Sequence, residues 1–128
     1  MDTKIDSIIS TFHKGSEEEM LRQCADWLRN NMDDARDYNV GAESIFSGKA
    51  NCDGFAQMFM KMAMRLGIKC DWCMGIASNG EGHAWNRVTF SNGNKRYYDV
   101  CFYNSNGKTK YLNSSSCWHT LQNVNVIY

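Results

Sequence analysis

Cys52 stands in the string Gly48-Lys49-Ala50-Asn51-Cys52-Asp53-Gly54-Phe55-Ala56, where a polar stretch gives way to an amphipathic run. A cysteine at the start of a helix is chemically privileged, because the unpaired N–H groups and the helix dipole favour a thiolate over a thiol. Glycines on both sides leave space for a substrate backbone to approach the sulfur. Taken alone, the same cysteine also reads as a small capping residue. The second candidate is His83 in Gly82-His83-Ala84-Trp85-Asn86, directly after a glycine-rich turn. An imidazole there can reach a cleft at a sheet edge and move a proton at neutral pH, although alone it reads as a surface turn histidine. The third is Asp99 in Tyr97-Tyr98-Asp99-Val100, a carboxylate inside a strand-favouring run. Strands disfavour aspartate unless it has a partner, and a histidine that offers one nitrogen to a thiol needs its other N–H held. Together the three residues suit acyl transfer from an amide through a thioester. His13, which ends an amphipathic helix, and His119, in a polar stretch, are weaker candidates.

The elements that must position this trio follow from periodicity. Thr3 with Asp6 has capping-box spacing, and Ile5, Ile8, Ile9 and Phe12 share one helical face. Ser16 with Glu19 repeats the box, and Met20, Leu21, Cys24, Trp27, Leu28 and Met32 form the apolar stripe of a second helix. Residues 33–50 are polar, lack sustained periodicity and read as a loop with at most one short turn. A third helix is expected from Cys52 or Asp53 to Leu66, with Phe55, Met58, Phe59, Met62 and Leu66 inward and Gly67 as its stop. After it, Ile68 to Ala77, His83 to Phe90 and Lys95 to Phe102 read as an antiparallel meander, with short strands near Lys110 to Leu112 and Val124 to Tyr128. Helices first and strands afterwards give an α+β fold, with the long helix packed on an antiparallel sheet.

Register decides whether Asp99 can serve His83. A two-residue turn at Asn92-Gly93 would place Asp99 opposite Asn86 and pointing away from His83, whereas one extra loop residue restores a shared face. The pair is then still offset along the strands, so twist or a bulge must close the gap.

Gly48-x-x-x-Cys52-x-Gly54 followed by a helix to Leu66-Gly67-Ile68, then Gly82-His83-Ala84-Trp85-Asn86-x-Val88, then Tyr97-Tyr98-Asp99-Val100, resembles the core of the transglutaminase-like superfamily. The resemblance runs from about Met20 to Cys117 and includes Tyr111-Leu112-Asn113-Ser114-Ser115, similar to a closing strand of many bacterial members. It implies a papain-like core with catalytic Cys52, His83 and Asp99, and no metal or organic cofactor. It also implies hydrolysis of a peptide or isopeptide bond in a protein or peptide substrate. Glutamine deamidation, glutamine–lysine crosslinking and a non-catalytic binding module of the same fold are the alternatives. Members commonly continue the aspartate as Asp-Pro-Thr or Asp-Val-Thr, where this chain has Asp99-Val100-Cys101. The Cys52 N–H is one expected oxyanion donor, with Asn51, Tyr38 or a residue near Gly41 supplying the second.

Composition sets the class. The chain has 128 residues, 43% apolar and 22% charged, which suits one folded domain over residues 1–128 that buries roughly two-thirds of its unfolded surface. Fourteen basic residues balance fourteen acidic ones without a basic stripe, so nucleic acid is not an expected partner. No run has the form of a signal peptide or a membrane span, so the chain as given reads as soluble and unexported and no membrane partner is expected, with an excised domain of a secreted or cell-surface protein left open. Oligomeric state has no sequence signature here. Cys24, Cys70, Cys73, Cys101 and Cys117 are expected as buried thiols. Cys70-x-x-Cys73 would point to opposite faces of a strand, and Cys117-Trp118-His119 does not match familiar zinc spacing. Asp33, Asp34 and Asp37 read as solvated loop charges, and Met58, Met60, Met62 and Met64 as partly core and partly exposed. Trp85 shares the strand face of His83 and is placed to shield it from water.

Overall fold

The computed structural model describes residues 1–76, 80, 82–101, 112–114 and 120–125. Helix α1 spans Asp2–Ile9 and buries Ile5 and Ile8. It starts earlier than the Thr3–Asp6 capping box implies: Met1 is the N-cap, without a side-chain hydrogen bond. Asp6 is engaged elsewhere, accepting from Arg65 Nε at 2.8 Å and Nη2 at 2.6 Å, so a long-range bidentate pair replaces the expected local cap. Phe12 lies beyond the helix but still packs on the core. Helix α2, Glu17–Asn31, begins as the sequence implies, with the Ser16 side chain accepting from the Glu19 N–H. Its buried stripe includes Leu21, Cys24, Ala25 and Leu28.

Residues 33–50 are more ordered than a loop. Strand β1 (Asp33–Asp34) runs parallel to β2 (Lys49–Ala50), with the four-residue α3 (Ser44–Ser47) between them. Two-residue strands have no readable period, so the sequence could not announce them.

Helix α4, Cys52–Arg65, is the centre of the molecule. Asn51 caps it, its side chain accepting from the Gly54 N–H at 3.1 Å. The far end closes as a Schellman motif: the Gly67 N–H donates to the Met64 carbonyl and the Ile68 N–H to the Ala63 carbonyl. Gly67 takes φ +80° there, a conformation that a Cβ would strain. α1 and α2 pack on α4 from one side, and β3 (Lys69–Ile76) and β4 (Gly82–Thr89) from the other. This double cover explains why Met58, Met60 and Met62 are all buried. Each such side chain contributes about 1.5–3 kcal/mol by leaving water.

The sheet has the order β6-β5-β4-β3-β7, all antiparallel, with β5 at Lys95–Asp99, β6 at Leu112–Ser114 and β7 at Thr120–Asn125. β3 to β5 form the expected meander, β6 extends it beside β5, and β7 returns to pair with β3. The two last strands lie slightly away from the expected positions, while Tyr111, Cys117 and His119 are outside the described residues. Asn86 fastens sheet to helix: its buried Nδ2 donates to the Ala56 carbonyl of α4 at 2.9 Å.

Gly54 permits the tight approach at the helix start, since a Cβ there would lie 2.6 Å from the Ala50 Cβ. Gly54→Ala is therefore expected to lower the unfolding free energy by about 1–3 kcal/mol despite the better helix propensity of alanine. Urea denaturation measures this, and an unchanged or raised stability would contradict the close packing.

Candidate active site

The helix start delivers Cys52 as the first residue of α4, half-buried. Its surroundings are held by several independent bonds. The Asn51 N–H donates to the Tyr38 carbonyl at 2.9 Å, and Asp53 Oδ2 accepts from Asn39 Nδ2 at 2.6 Å and Gln57 Nε2 at 3.0 Å. The Gly41 N–H is taken by Asn39 Oδ1 at 2.8 Å. Among the expected oxyanion donors, Asn51 and Gly41 thus have their backbone N–H groups engaged, and the Asn51 side-chain oxygen caps the helix.

The β4–β5 hairpin sets the other half. The Gly93 N–H bonds to the Phe90 carbonyl at 2.9 Å and the Phe90 N–H to the Asn94 carbonyl at 2.8 Å, which makes a three-residue loop with Gly93 at φ +88°. This is the extra loop residue that a shared face requires. Asn86 consequently pairs with Tyr98, and the same register carries Asp99 to the level of Trp85, diagonal to His83. The diagonal is short enough: His83 Nε2 lies 2.7 Å from Asp99 Oδ2, with the His83 side chain 17% exposed and that of Asp99 at 0%. Trp85 stacks beside the imidazole, ring centroids 6.3 Å apart and planes 22° apart, and is itself buried.

The same imidazole hydrogen-bonds to the Cys52 side chain. With Nε2 facing Asp99, Nδ1 is the ring atom left for the sulfur. Burial is the largest single influence on His83 and opposes its charge. The hydrogen bonds to Asp99 and Cys52, with the charges of both, outweigh it and push the imidazole up to about 10. The structure therefore brings Cys52, His83 and Asp99 into one contiguous group.

Sequence reasoning missed a fourth neighbour. Asp34 is not a solvated loop charge: it is half-buried, and its Oδ2 accepts from the Cys101 thiol at 3.6 Å. Burial pushes its carboxyl up, against the lowering effects of Cys101, Arg29, Arg36 and His83. Only the two-residue pairing of β1 with β2 brings it here, and that pairing has no sequence signal. The remaining described thiols, Cys24, Cys70, Cys73 and Cys101, are buried as expected. Among the described residues, no group of three or more His, Cys, Asp or Glu is arranged to hold a metal ion, and no helix is long and apolar enough to cross a membrane.

The raised imidazole pKa links the site to stability. A group whose folded pKa exceeds its unfolded value of about 6.5 stabilises fully below that value, and the contribution is lost as pH rises through the folded pKa. The stability advantage of the wild type over His83→Ala is expected to be largest at or below about pH 6.5 and to shrink toward pH 10. Denaturation of both proteins across that range measures it. An advantage that grows with pH would reverse the sign.

Three comparisons bear on this geometry. The model of the transglutaminase-like superfamily core matches residues 7–100. A comparison with curated proteins gives no match. Among solved structures, a candidate cysteine protease from Cytophaga hutchinsonii superposes with a TM-score of 0.66 at 16% identity, over 98% of this chain and 47% of its own. A protein described as a TGase superposes with a TM-score of 0.70 at 18% identity, over 85% of this chain and 33% of its own. The chain thus spans less than half the length of either neighbour, and at these identities the likeness is one of fold. With the family match extending over most of its length and the α+β core shared with both structures, the chain belongs to the transglutaminase-like superfamily.

Proposed function

We propose that the protein is a cysteine-dependent acyl-transfer enzyme acting on amide bonds, with Cys52 as nucleophile, His83 as acid–base and Asp99 as the residue that orients His83. The observation that carries this reading is the 2.7 Å contact between His83 Nε2 and the fully buried Asp99 carboxylate, on an imidazole whose other side meets Cys52 at a helix start. Asp99 holds one nitrogen and favours the imidazolium, so the other stays directed at the sulfur. The Cys52 sulfur attacks the carbonyl carbon of the amide, and the carbonyl oxygen takes the developing charge. His83 then gives its proton to the departing amine, leaving a thioester. The Cys52 N–H, at the open end of α4, is one donor to that oxygen.

Water is the acceptor in the favoured reading, giving hydrolysis of a peptide or isopeptide bond. The likeness to a candidate cysteine protease over nearly the whole chain supports it. An amine acceptor, giving a glutamine–lysine crosslink, is the second reading and draws on the likeness to a TGase. Mass spectrometry of a glutamine- and lysine-containing peptide library separates them, because cleavage, deamidation and crosslinking change mass differently. Turnover of none of these amides by the wild type would argue for a binding module.

Cys52→Ala is expected to abolish turnover while leaving the fold intact, since the side chain is half-buried and Asn51 supplies the helix cap. Asp99→Asn is expected to reduce turnover by up to roughly ten-thousandfold, the loss known for the equivalent change in a serine triad. Near-normal turnover in either variant would remove that residue from its assigned role. Iodoacetamide offers a substrate-free check: at about pH 6 the wild type should be alkylated at Cys52 faster than His83→Ala, because the adjacent imidazole activates the sulfur. Equal rates would mean that the two residues do not act as a pair.

A further inference from the structure

The side-chain amides around the start of α4 are those of Asn39, Asn51 and Gln57, and two of them are occupied within the protein. Asn39 Nδ2 donates to Asp53 Oδ2 at 2.6 Å, and Gln57 Nε2 donates to the same oxygen at 3.0 Å. Asn51 is held more completely than either. Its N–H donates to the Tyr38 carbonyl at 2.9 Å, its carbonyl accepts from the Phe55 N–H at 3.0 Å, and its Oδ1 accepts from the Gly54 N–H at 3.1 Å. The last bond also settles which way the amide faces, because only its oxygen can accept from an N–H. What remains is Nδ2, which donates to none of the described residues and is not shut off from the surface. The amide is planar, so holding Oδ1 over the first turn holds Nδ2 as well, a short covalent path from the N–H of the adjacent Cys52.

We infer that Asn51 Nδ2 is the second donor to the carbonyl oxygen of the scissile amide, acting beside the Cys52 N–H. The inference rests on the Cys52–His83–Asp99 reading given above and names the group that receives the charge which that chemistry creates. As the C–S bond forms, the carbonyl π pair moves onto oxygen. When that pair returns, the C–N bond breaks and the amine leaves with the proton from His83. A donor to the oxygen is most effective when it is fixed beforehand and no other bond must be broken to free it. Asn51 meets both conditions, since three hydrogen bonds fix it and none of them uses Nδ2. Tyr38 does not: its ring is engaged by the Lys49 ammonium, 4.7 Å from the centroid, and no hydrogen bond among the described residues fixes its hydroxyl. One side chain thus serves two purposes from opposite ends of its amide, the oxygen capping α4 and the nitrogen facing the reaction. Aspartate, which caps a helix as well as asparagine, could serve only the first.

Asn51→Asp separates the two roles, because it keeps the capping oxygen and replaces the donor by an acceptor. Two reagents are compared on Cys52, with Cys52→Ala giving the background from other thiols. p-Nitrophenyl acetate acylates the sulfur through a tetrahedral oxyanion and releases p-nitrophenolate; iodoacetamide alkylates the sulfur and forms no oxyanion. The ratio of the two rates within one protein cancels changes in thiolate population and in access to Cys52. It is expected to fall by at least about tenfold in Asn51→Asp, and kcat on any amide that the wild type turns over by about a hundred- to a thousandfold with KM nearly unchanged. An asparagine that only caps the helix would change both rates together or neither, so an unchanged ratio overturns the inference. A ratio that falls in Tyr38→Phe and not in Asn51→Asp moves the role to Tyr38 and overturns it too. Asn51→Ser, a shorter cap without the amide nitrogen, replaces the aspartate variant if that one does not fold, and failure of both to fold would make Asn51 a structural cap alone. Failure of the catalytic reading itself is distinguishable, because it is seen in the wild type: at about pH 6 Cys52 would react with both reagents no faster than in His83→Ala.

Discussion

A carboxylate removed from water in the middle of a strand is the constraint on which this structure turns. Asp99 has no exposed surface, and an unpaired charge in that position would cost several kcal/mol. The hydrogen bond with His83 offsets that cost, and it can form only if the β4–β5 register places the two side chains on one face. A single loop residue determines the register, because Ser91-Asn92-Gly93 turns the hairpin in three residues with the glycine in the left-handed region. Loop chemistry at one end of the hairpin thereby sets the pairing at the other, more than four residues along each strand.

The Cys52 half of the site rests on different forces. α4 is fixed in depth by the methionines and phenylalanines that α1, α2 and the sheet cover, and along its axis by Asn86 on the Ala56 carbonyl. Its first turn is fixed by the Asn51 cap, the Asp53 bonds to Asn39 and Gln57, and the contact that Gly54 allows with Ala50. Apolar burial is non-directional and positions the helix only coarsely. The directional hydrogen bonds around residues 51–54 supply the finer placement that a reacting sulfur needs. Helix and hairpin are then linked at residues 29–35, so three separately stabilised pieces agree on one geometry.

The large elements were legible in the sequence because they repeat a signal. α2 and α4 carry long apolar stripes with a capping residue at the start, and the meander carries alternation punctuated by glycine turns. That Cys52, His83 and Asp99 would meet was legible because each residue type is unusual in its position. The Thr3 cap failed because Asp6 has a competing partner, Arg65, fifty-nine residues away, and local spacing carries no information about distant charges. Asp34 escaped for a related reason: among Asp33, Asp34 and Asp37 nothing local separates one aspartate from another, and only the pairing with residues 49–50 turns one of them inward. Tertiary context decided both cases.

Selectivity among the thiols follows from the same distribution of burial. Cys24 is pushed up to about 12 chiefly by burial, and Cys70 and Cys101 are raised in the same direction. A thiol held protonated in an apolar interior is a poor nucleophile whatever lies nearby. Cys52 differs from the other described cysteines in three respects together: it is half-exposed, it opens a helix, and it shares a hydrogen bond with an imidazole that a buried carboxylate holds in place. The burial that stabilises the fold also holds Cys24, Cys70 and Cys101 as thiols, and Cys52, the one described cysteine that is not buried, is the one that the helix start and the hairpin converge upon.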